Sequence, residues 1–391
     1  MLNERAYALG SNRSCIRELF EYGRARAAIV GSENIYDYSL GNPSIPSPKA
    51  VDDAIRAILE DTDSLQVHGY TSAAGDAATR QAIADQLNLH YQAEAAGEDI
   101  FITCGAAPGL TAVFGALAAP GAEILAIAPY FPEYKVFVES AGATFRVIPP
   151  DVPHFQIDLA AVDAMVTENS AAIIVNSPNN SSGVVYSQET LKALGELLTQ
   201  KSQKFGHPIY IVSDEPYRKL VYGGVTVPFL PHIYPDTLIC YSYSKSLSLP
   251  GERIGYVYVP KQAADSACLY AAVAGAARAM GHVCAPSLWQ KVIARCAHLQ
   301  PDLHSYDRNR RALYDGLTAL GYEVPRPDGA FYLFVKAPGG DANAFSERAK
   351  EKDLLLVPGD GFGCPGYFRV CYCVSYEMIQ KSLPVFAELM K

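Results

Sequence analysis

Five short runs of aliphatic and β-branched residues constrain this chain most: EILAIAP (123–129), AAIIVNSP (171–178), PIYIVSDE (208–215), TLICYSYS (237–244) and IGYVYVP (254–260). Each has the length of a strand, and longer amphipathic stretches separate most of them. Strands covered on both faces read as such near-continuous apolar runs, so the alternation predicts an α/β fold with a mostly parallel sheet flanked by helices. Between the runs, QETLKALGELLTQKSQKF (188–205) carries apolar residues three and four apart. AAPGLTAVFGALA (106–118) does so less cleanly, and both are expected to cover the sheet as helices.

Near residue 286 the pattern changes. A long helical stretch, LWQKVIARCAHLQPDLHSYDRNRRALYDGLTAL, gives way to three strand-like runs, GAFYLFVK, LLLVPG and YFRVCYCV, and then to a last helix, EMIQKSLPVFAELMK. The reading is a large α/β domain over 45–285 and a smaller α+β domain built from 1–44 and 286–391; a chain of 391 residues has room for both cores.

Charge and cysteine usage narrow the function classes. The net charge is −9 with no basic run, which disfavours nucleic acid and acidic membrane surfaces as partners. The first residues carry charges and no apolar segment, and no run reaches the ~18 apolar residues of a membrane span, so a cytoplasmic location is expected. The nine cysteines are scattered, several in apolar runs such as those of Cys240, Cys268 and Cys296, as reduced core cysteines are. Cys371 and Cys373 face one side of a strand, but a metal there would need ligands the neighbourhood lacks, and the dispersed histidines supply none. No metal is expected.

One motif invites a wrong conclusion. PGDGFGCPG contains a literal GxGxxG at Gly361, Gly363 and Gly366. A dinucleotide-binding turn must open a helix so that the pyrophosphate meets its N-terminus, whereas Pro365 and a strand-like run follow here. A glycine-rich strand connection is the reading.

Ligands of open parallel sheets gather at the carboxyl ends of the strands. One run ends at Asn176 and Asn180, the next at Asp214 and Tyr217, the third at Ser242, Ser244 and Lys245, the serines alternating onto one side. Gly105, Ala106 and Ala107 stand where a strand passes into a helix, with free backbone N–H groups for an anion. Each group alone has an ordinary structural explanation. Together they offer an amine, a carboxylate, hydroxyls, an amide and an anion cradle, which an aldehyde cofactor with a pyridine ring and a phosphate requires. Lys245 would form the Schiff base, Asp214 would keep the pyridine nitrogen protonated, and Tyr217 with Asn180 would hold the ring oxygen. Arg253 with Ser242, Ser244 and the Gly105–Ala107 amides would grip the phosphate.

At this point the chain resembles the class I/II aminotransferases among the fold-type I pyridoxal-phosphate enzymes. SLGNPSIPSP resembles the N-terminal glycine segment, with Gly41 at the substrate. HGYTSAAGD resembles the stretch whose tyrosine, Tyr70, reaches the phosphate of the neighbouring subunit. APYFPEY resembles the segment whose aromatic, Phe131, stacks on the ring. NSPNNSSG, SDEPY, SYSKSLSLPGERIGY and PGYFRV follow in the family's order, the last with Arg369 on the substrate α-carboxylate. The resemblance implies a seven-stranded sheet, pyridoxal 5'-phosphate, a homodimer with shared sites, and ping-pong transfer of an amino group to a 2-oxo acid. Two departures stand out: Ser181-Ser182 replace the usual Pro-Thr, which puts loop order in doubt, and Ala106-Ala107 lack a hydroxyl common in relatives, which predicts slightly weaker cofactor binding.

Substrate choice is less constrained. Arg278 resembles the arginine that meets a distal carboxylate from the partner subunit in aspartate aminotransferases, and Ser14, Arg17 and His68 are further pocket candidates by family position. The expected donor is aspartate-like, with 2-oxoglutarate as acceptor. A C–S β-lyase or other α,β-eliminating enzyme is the alternative with the same cofactor. A regulator derived from the fold is disfavoured, because the residues before the glycine segment are too few and too weakly basic for a DNA-binding domain.

Overall fold

The computed structural model describes residues 2–11 and 15–391. Its strands are β1 (Tyr36–Asp37), β2 (Ile100–Thr103), β3 (Glu123–Ile127), β4 (Thr144–Ile148), β5 (Ser170–Asn176), β6 (Tyr210–Asp214), β7 (Thr237–Ser242), β8 (Gly255–Tyr258), β9 (Tyr332–Lys336), β10 (Leu354–Leu355), β11 (Val357–Pro358) and β12 (Tyr367–Cys371). The largest sheet has seven strands in the order β2-β8-β7-β6-β5-β3-β4. Only β8 runs antiparallel to its neighbours. All five apolar runs are strands of this mostly parallel sheet.

Both faces of the sheet are covered, which is why its strands read as unbroken apolar runs. Along β5, Ala172 and Ile174 pack with Leu110, Val113 and Phe114 of the Ala106–Leu117 helix, while Ile173 and Val175 pack with Leu191, Leu194 and Leu198 of the Gln188–Phe205 helix. The latter helix has the expected bounds for local reasons. The Ser187 hydroxyl accepts from the Thr190 N–H at its start, and Gly206 closes it in the left-handed region.

The long helical stretch after residue 286 is two helices, Ser287–Cys296 and Leu303–Ala319. The first ends at Cys296 with Ala297 as its C-cap, and the Asp302 carboxylate caps the second by accepting from Ser305 N–H. Beyond them, β9, β12 and β11 form an antiparallel sheet with β12 in the middle. β1 pairs in parallel with β10, and the hydroxyls of Tyr38 and Ser382 meet at 2.6 Å, so the N-terminal segment is tied to the C-terminal part. The glycine-rich stretch forms a single 3-10 turn, Gly359–Phe362, and leads into β12, a strand and not a helix. Among the described residues no helix is long and apolar enough to cross a membrane.

Candidate active site

Register brings the chemistry to one edge. Asn176, the last residue of β5, lies beside Asp214, the last of β6, and Asp214 lies beside Cys240, two residues before the end of β7. The Asn176 amide donates to the Asp214 backbone carbonyl at 2.8 Å and accepts from the Asn180 N–H at 2.7 Å, holding the loop against the strand end. That loop is ordered without the usual proline. The N–H groups of Ser181 and Ser182 and the Ser182 hydroxyl all donate to Asn179 Oδ1 at 2.9 Å, and both serines are fully buried.

A cavity opens above this edge. Gly41, Ala106, Ala107, Phe131, Asn180, Asp214, Tyr217, Ser242, Ser244, Lys245, Arg253 and Arg369 all line it. Its floor is Asp214. Tyr134 donates to its Oδ2 at 2.5 Å, while Oδ1 is buried with no partner. Burial pushes this carboxyl up to about 7, the Tyr134 hydrogen bond opposing and Glu215 adding to the rise. An unpartnered buried carboxylate oxygen is costly unless a cationic or donor group meets it.

Lys245 is partly buried in the wall and donates to the Gly41 carbonyl at 2.6 Å. Desolvation holds its ammonium below the ordinary lysine value, Arg369 and Arg253 add to the depression, and Cys373 and Cys371 oppose it. Gly41 is needed for contact reasons: a Cβ there would stand 2.2 Å from the Tyr332 hydroxyl oxygen. Tyr332 in turn shares a 2.8 Å hydrogen bond with Tyr217, both hydroxyls buried.

The anion end is built differently from the expectation of two serines alternating along a strand. β7 stops at Ser242, and Tyr243–Ser246 is a helical turn that Ser242 caps by accepting from Ser244 N–H at 3.1 Å. The two hydroxyls still meet, at 2.7 Å, through the cap. Arg253, exposed at the mouth, reaches Ser244 Oγ at 3.4 Å and the Pro250 carbonyl at 3.0 Å. Gly105, with φ 97°, turns the chain into the Ala106–Leu117 helix, and a Cβ at this glycine would stand 2.7 Å from the Arg253 guanidinium.

At the opposite end Arg369 is 2% exposed. Among the described residues its polar partners are neutral: Asn180 Oδ1 at 2.8 Å and the Ser39 carbonyl at 2.7 Å, with Nε left buried and unpartnered. This fixes the Asn180 amide with its oxygen on Arg369, so its NH2 is the group left to donate elsewhere.

Other sequence candidates lie away from the cavity in a single chain. Tyr70 is fully exposed, and Arg278 lines a separate hollow with Ala73, Phe101, His282 and Val283. Arg17 and His68 are exposed and do not line the cavity. Ser14 lies outside the described residues. The sequence reading missed Tyr134, Tyr332 and Ile16. The first follows Phe131 by three residues in a helical start, the second precedes the alternating apolar positions of β9, and Ile16 reaches the cavity from the Cys15–Val30 helix.

Fold and site together define a fold-type I α/β enzyme whose lysine, carboxylate and arginine face one cavity. The profile described as "Aminotransferase class I and II" matches residues 32–385, and the chain belongs to that family. The chain is similar to an amino transferase crystal structure from Eubacterium rectale, with TM-score 0.98 and 55% identity over 100% of this chain and 98% of that one. It is similar to an aspartate aminotransferase of Thermus thermophilus solved with maleate, with TM-score 0.86 and 28% identity over 100% and 99% of the two chains. An aspartate/prephenate aminotransferase of Thermus thermophilus is 30% identical over 361 residues, 90% of this chain and 89% of the relative. The protein is an aminotransferase, and these likenesses do not favour the eliminating alternative.

Proposed function

We propose that the cavity holds pyridoxal 5'-phosphate and moves the amino group of an aspartate-like donor to 2-oxoglutarate by a ping-pong mechanism. One observation carries this reading: Asp214 Oδ1 and Arg369 Nε are both buried and unpartnered in residues that line the cavity where Lys245 sits. The donor set fits the cofactor. Asp214 answers a ring nitrogen, Ser242, Ser244, Arg253 and the amides from Gly105 to Ala107 answer a phosphate, and Phe131 supplies an aromatic face. Tyr217 and the Asn180 NH2 would hold the ring oxygen.

When bound, the cofactor supplies an electron sink for the charge left on the substrate α-carbon. Everything else is asked of the chain. Lys245 is the residue to which the aldehyde would attach, and its amine, kept toward neutrality by burial, takes the proton from the substrate α-carbon. Asp214 holds a proton on the ring nitrogen. Arg369 binds the α-carboxylate as a fork, since its present partners leave its charge unanswered, and Gly41, without a Cβ, leaves room for the Tyr332 hydroxyl beside it.

The same proposal includes a cytoplasmic homodimer in which Tyr70 and Arg278 serve the neighbouring subunit's site, Arg278 toward a distal carboxylate, with Ser14 and Arg17 near the substrate. It also includes a division into a large domain, 45–285, and a small one, 1–44 with 286–391. A half-reaction tests the chemistry. Adding aspartate to cofactor-loaded protein should abolish the visible absorbance of the bound cofactor, and 2-oxoglutarate should restore it. No change with any amino acid overturns the reading, and release of pyruvate and ammonia from cystathionine without amino transfer replaces it with elimination.

A further inference from the structure

The strand that carries Arg369 ends at Cys371, and a second thiol, Cys373, follows two residues on. Side chains alternate along a strand, so Arg369 and Cys371 point one way, and past the strand end the Tyr372 hydroxyl donates to the Ala330 carbonyl. Cys371 Sγ and Cys373 Sγ lie 2.9 Å apart, both thiols free. Both are buried in the apolar core of the C-terminal part, and Cys373 Sγ reaches to 3.9 Å from the carbonyl of Leu40, which with Gly41 walls the cavity. The nearest charges are those of the site itself, Lys245 and Arg369.

We propose that Cys371 and Cys373 are a thiol-oxidation site that closes to a reversible disulfide and thereby weakens the binding of the substrate carboxylate at Arg369. The bond part of this inference stands on the geometry of the thiols; the effect on substrate rests on the proposed role of Arg369.

Burial pushes both thiols up, but the Cys373 S–H, Arg369 and Lys245 bring Cys371 below the ordinary thiol value, whereas Cys373 is held well above it by burial and by its neighbour. With hydrogen peroxide as oxidant, the Cys371 thiolate attacks one peroxide oxygen and the O–O bond breaks. The hydroxide released takes a proton to leave as water, and Cys371 becomes a sulfenic acid. Cys373 sulfur then attacks the Cys371 sulfur, the S–O bond breaks, and the thiol proton leaves with that oxygen as a second water. Two electrons pass from the thiols to the peroxide.

Closure acts on the segment that holds Arg369. A disulfide requires about 2.05 Å between sulfurs, against 2.9 Å here. The strand is pinned around that point: Cys371 N–H donates to the Tyr38 carbonyl at 3.1 Å, and Tyr372 N–H donates to the Phe331 carbonyl at 2.9 Å. The link to Arg369 runs through residues 38–40: Tyr38 accepts from Cys371 N–H, the Leu40 carbonyl faces Cys373 Sγ, and the Ser39 carbonyl between them accepts from Arg369 at 2.7 Å, so loss of the Cys373 S–H on closure disturbs the segment that aims Arg369.

The test uses cofactor-loaded protein treated with hydrogen peroxide, followed by alkylation of remaining thiols under denaturing conditions and mass spectrometry. The expected result is a peptide containing Cys371 and Cys373 that is two hydrogens lighter and unalkylated, restored by dithiothreitol. Alongside it, the KM for the amino acid should rise at least fivefold with kcat much less affected, and reduction should reverse the change. Cys371→Ser and Cys373→Ser should each abolish the peroxide effect on KM. Alkylation of both thiols after oxidant, or irreversible sulfinic acids in place of the bond, overturns the proposal, and this readout needs neither variant nor activity. A bond that forms without a change in KM overturns the coupling to Arg369. An unchanged KM in Arg369→Lys instead overturns the role given to Arg369, leaving the bond itself standing.

Discussion

Asp214 shows how much a single side chain can report about its site. In the chain itself its carboxyl is pushed by burial up to about 7, far above the ~3.9 of an unfolded aspartate. The sign follows from proton binding. Between these two values the folded state holds a proton that the unfolded state has released, so the stability contributed by this group is greatest below pH ~4, falls as pH rises, and is gone above about 7. An asparagine there escapes the loss. Cofactor-free Asp214→Asn protein should therefore melt roughly 2–5 °C above the parent at pH 8, with the gain shrinking as pH falls toward 4; an equal difference at every pH would mean that ionisation of Asp214 is not responsible. The same substitution should lower kcat by about 100-fold or more, since nothing then keeps the ring nitrogen charged. Asp214 and Lys245 were legible in the sequence because they stand at strand ends, and Arg369 only through the resemblance of its segment. Tyr134 and Tyr332 were not, because a tyrosine in an apolar stretch reads as core, and only the fold shows where its hydroxyl is aimed.

Element by element, the legible parts were those whose local pattern and tertiary environment agree. The Gln188–Phe205 helix has a serine cap, a glycine stop and an apolar stripe, and its bounds follow from all three. The two strands at the edges of the large sheet carried weaker signals: β2 has four residues, and β4 leaves Thr144 exposed and Phe145, Arg146 and Val147 half-buried, so neither forms a long apolar run. The anion end was legible in its residues but not in its geometry, because a serine at a strand end gives no sign that it caps the next turn. The Ala106–Leu117 helix begins at this end with free N–H groups and an alanine pair where a hydroxyl could help. Placing one there adds a donor without disturbing the backbone. Ala107→Ser, on the cavity lining, should tighten cofactor binding by about threefold to tenfold, one hydrogen bond to a charged group. Titration of cofactor-stripped protein by fluorescence would measure it, and unchanged or weaker affinity would show that the helix N-terminus does not meet the phosphate.

At the scale of the whole molecule the proposal places Tyr70 and Arg278 in the site of a neighbouring subunit. Tyr70 is fully exposed, and Arg278 lines a hollow with Ala73 and Val283. Their expected role rests on resemblance alone, because a contact with a second copy leaves no periodicity or cap in the first. A hybrid of two inactive or weakened chains separates the possibilities. Lys245→Ala destroys the amine of its own chain. If Tyr70 serves the neighbouring subunit, a dimer of one Lys245→Ala chain and one Tyr70→Ala chain has one site with both defects and one with neither. Purified through two different tags, that hybrid should show about half the activity of the parent dimer. If Tyr70 acts within its own chain, or not at all in catalysis, the hybrid keeps only the site of the Tyr70→Ala chain and shows about half the activity of the Tyr70→Ala dimer. The two outcomes differ as widely as Tyr70→Ala itself weakens the enzyme, so the measurement decides most clearly when that variant alone is poor.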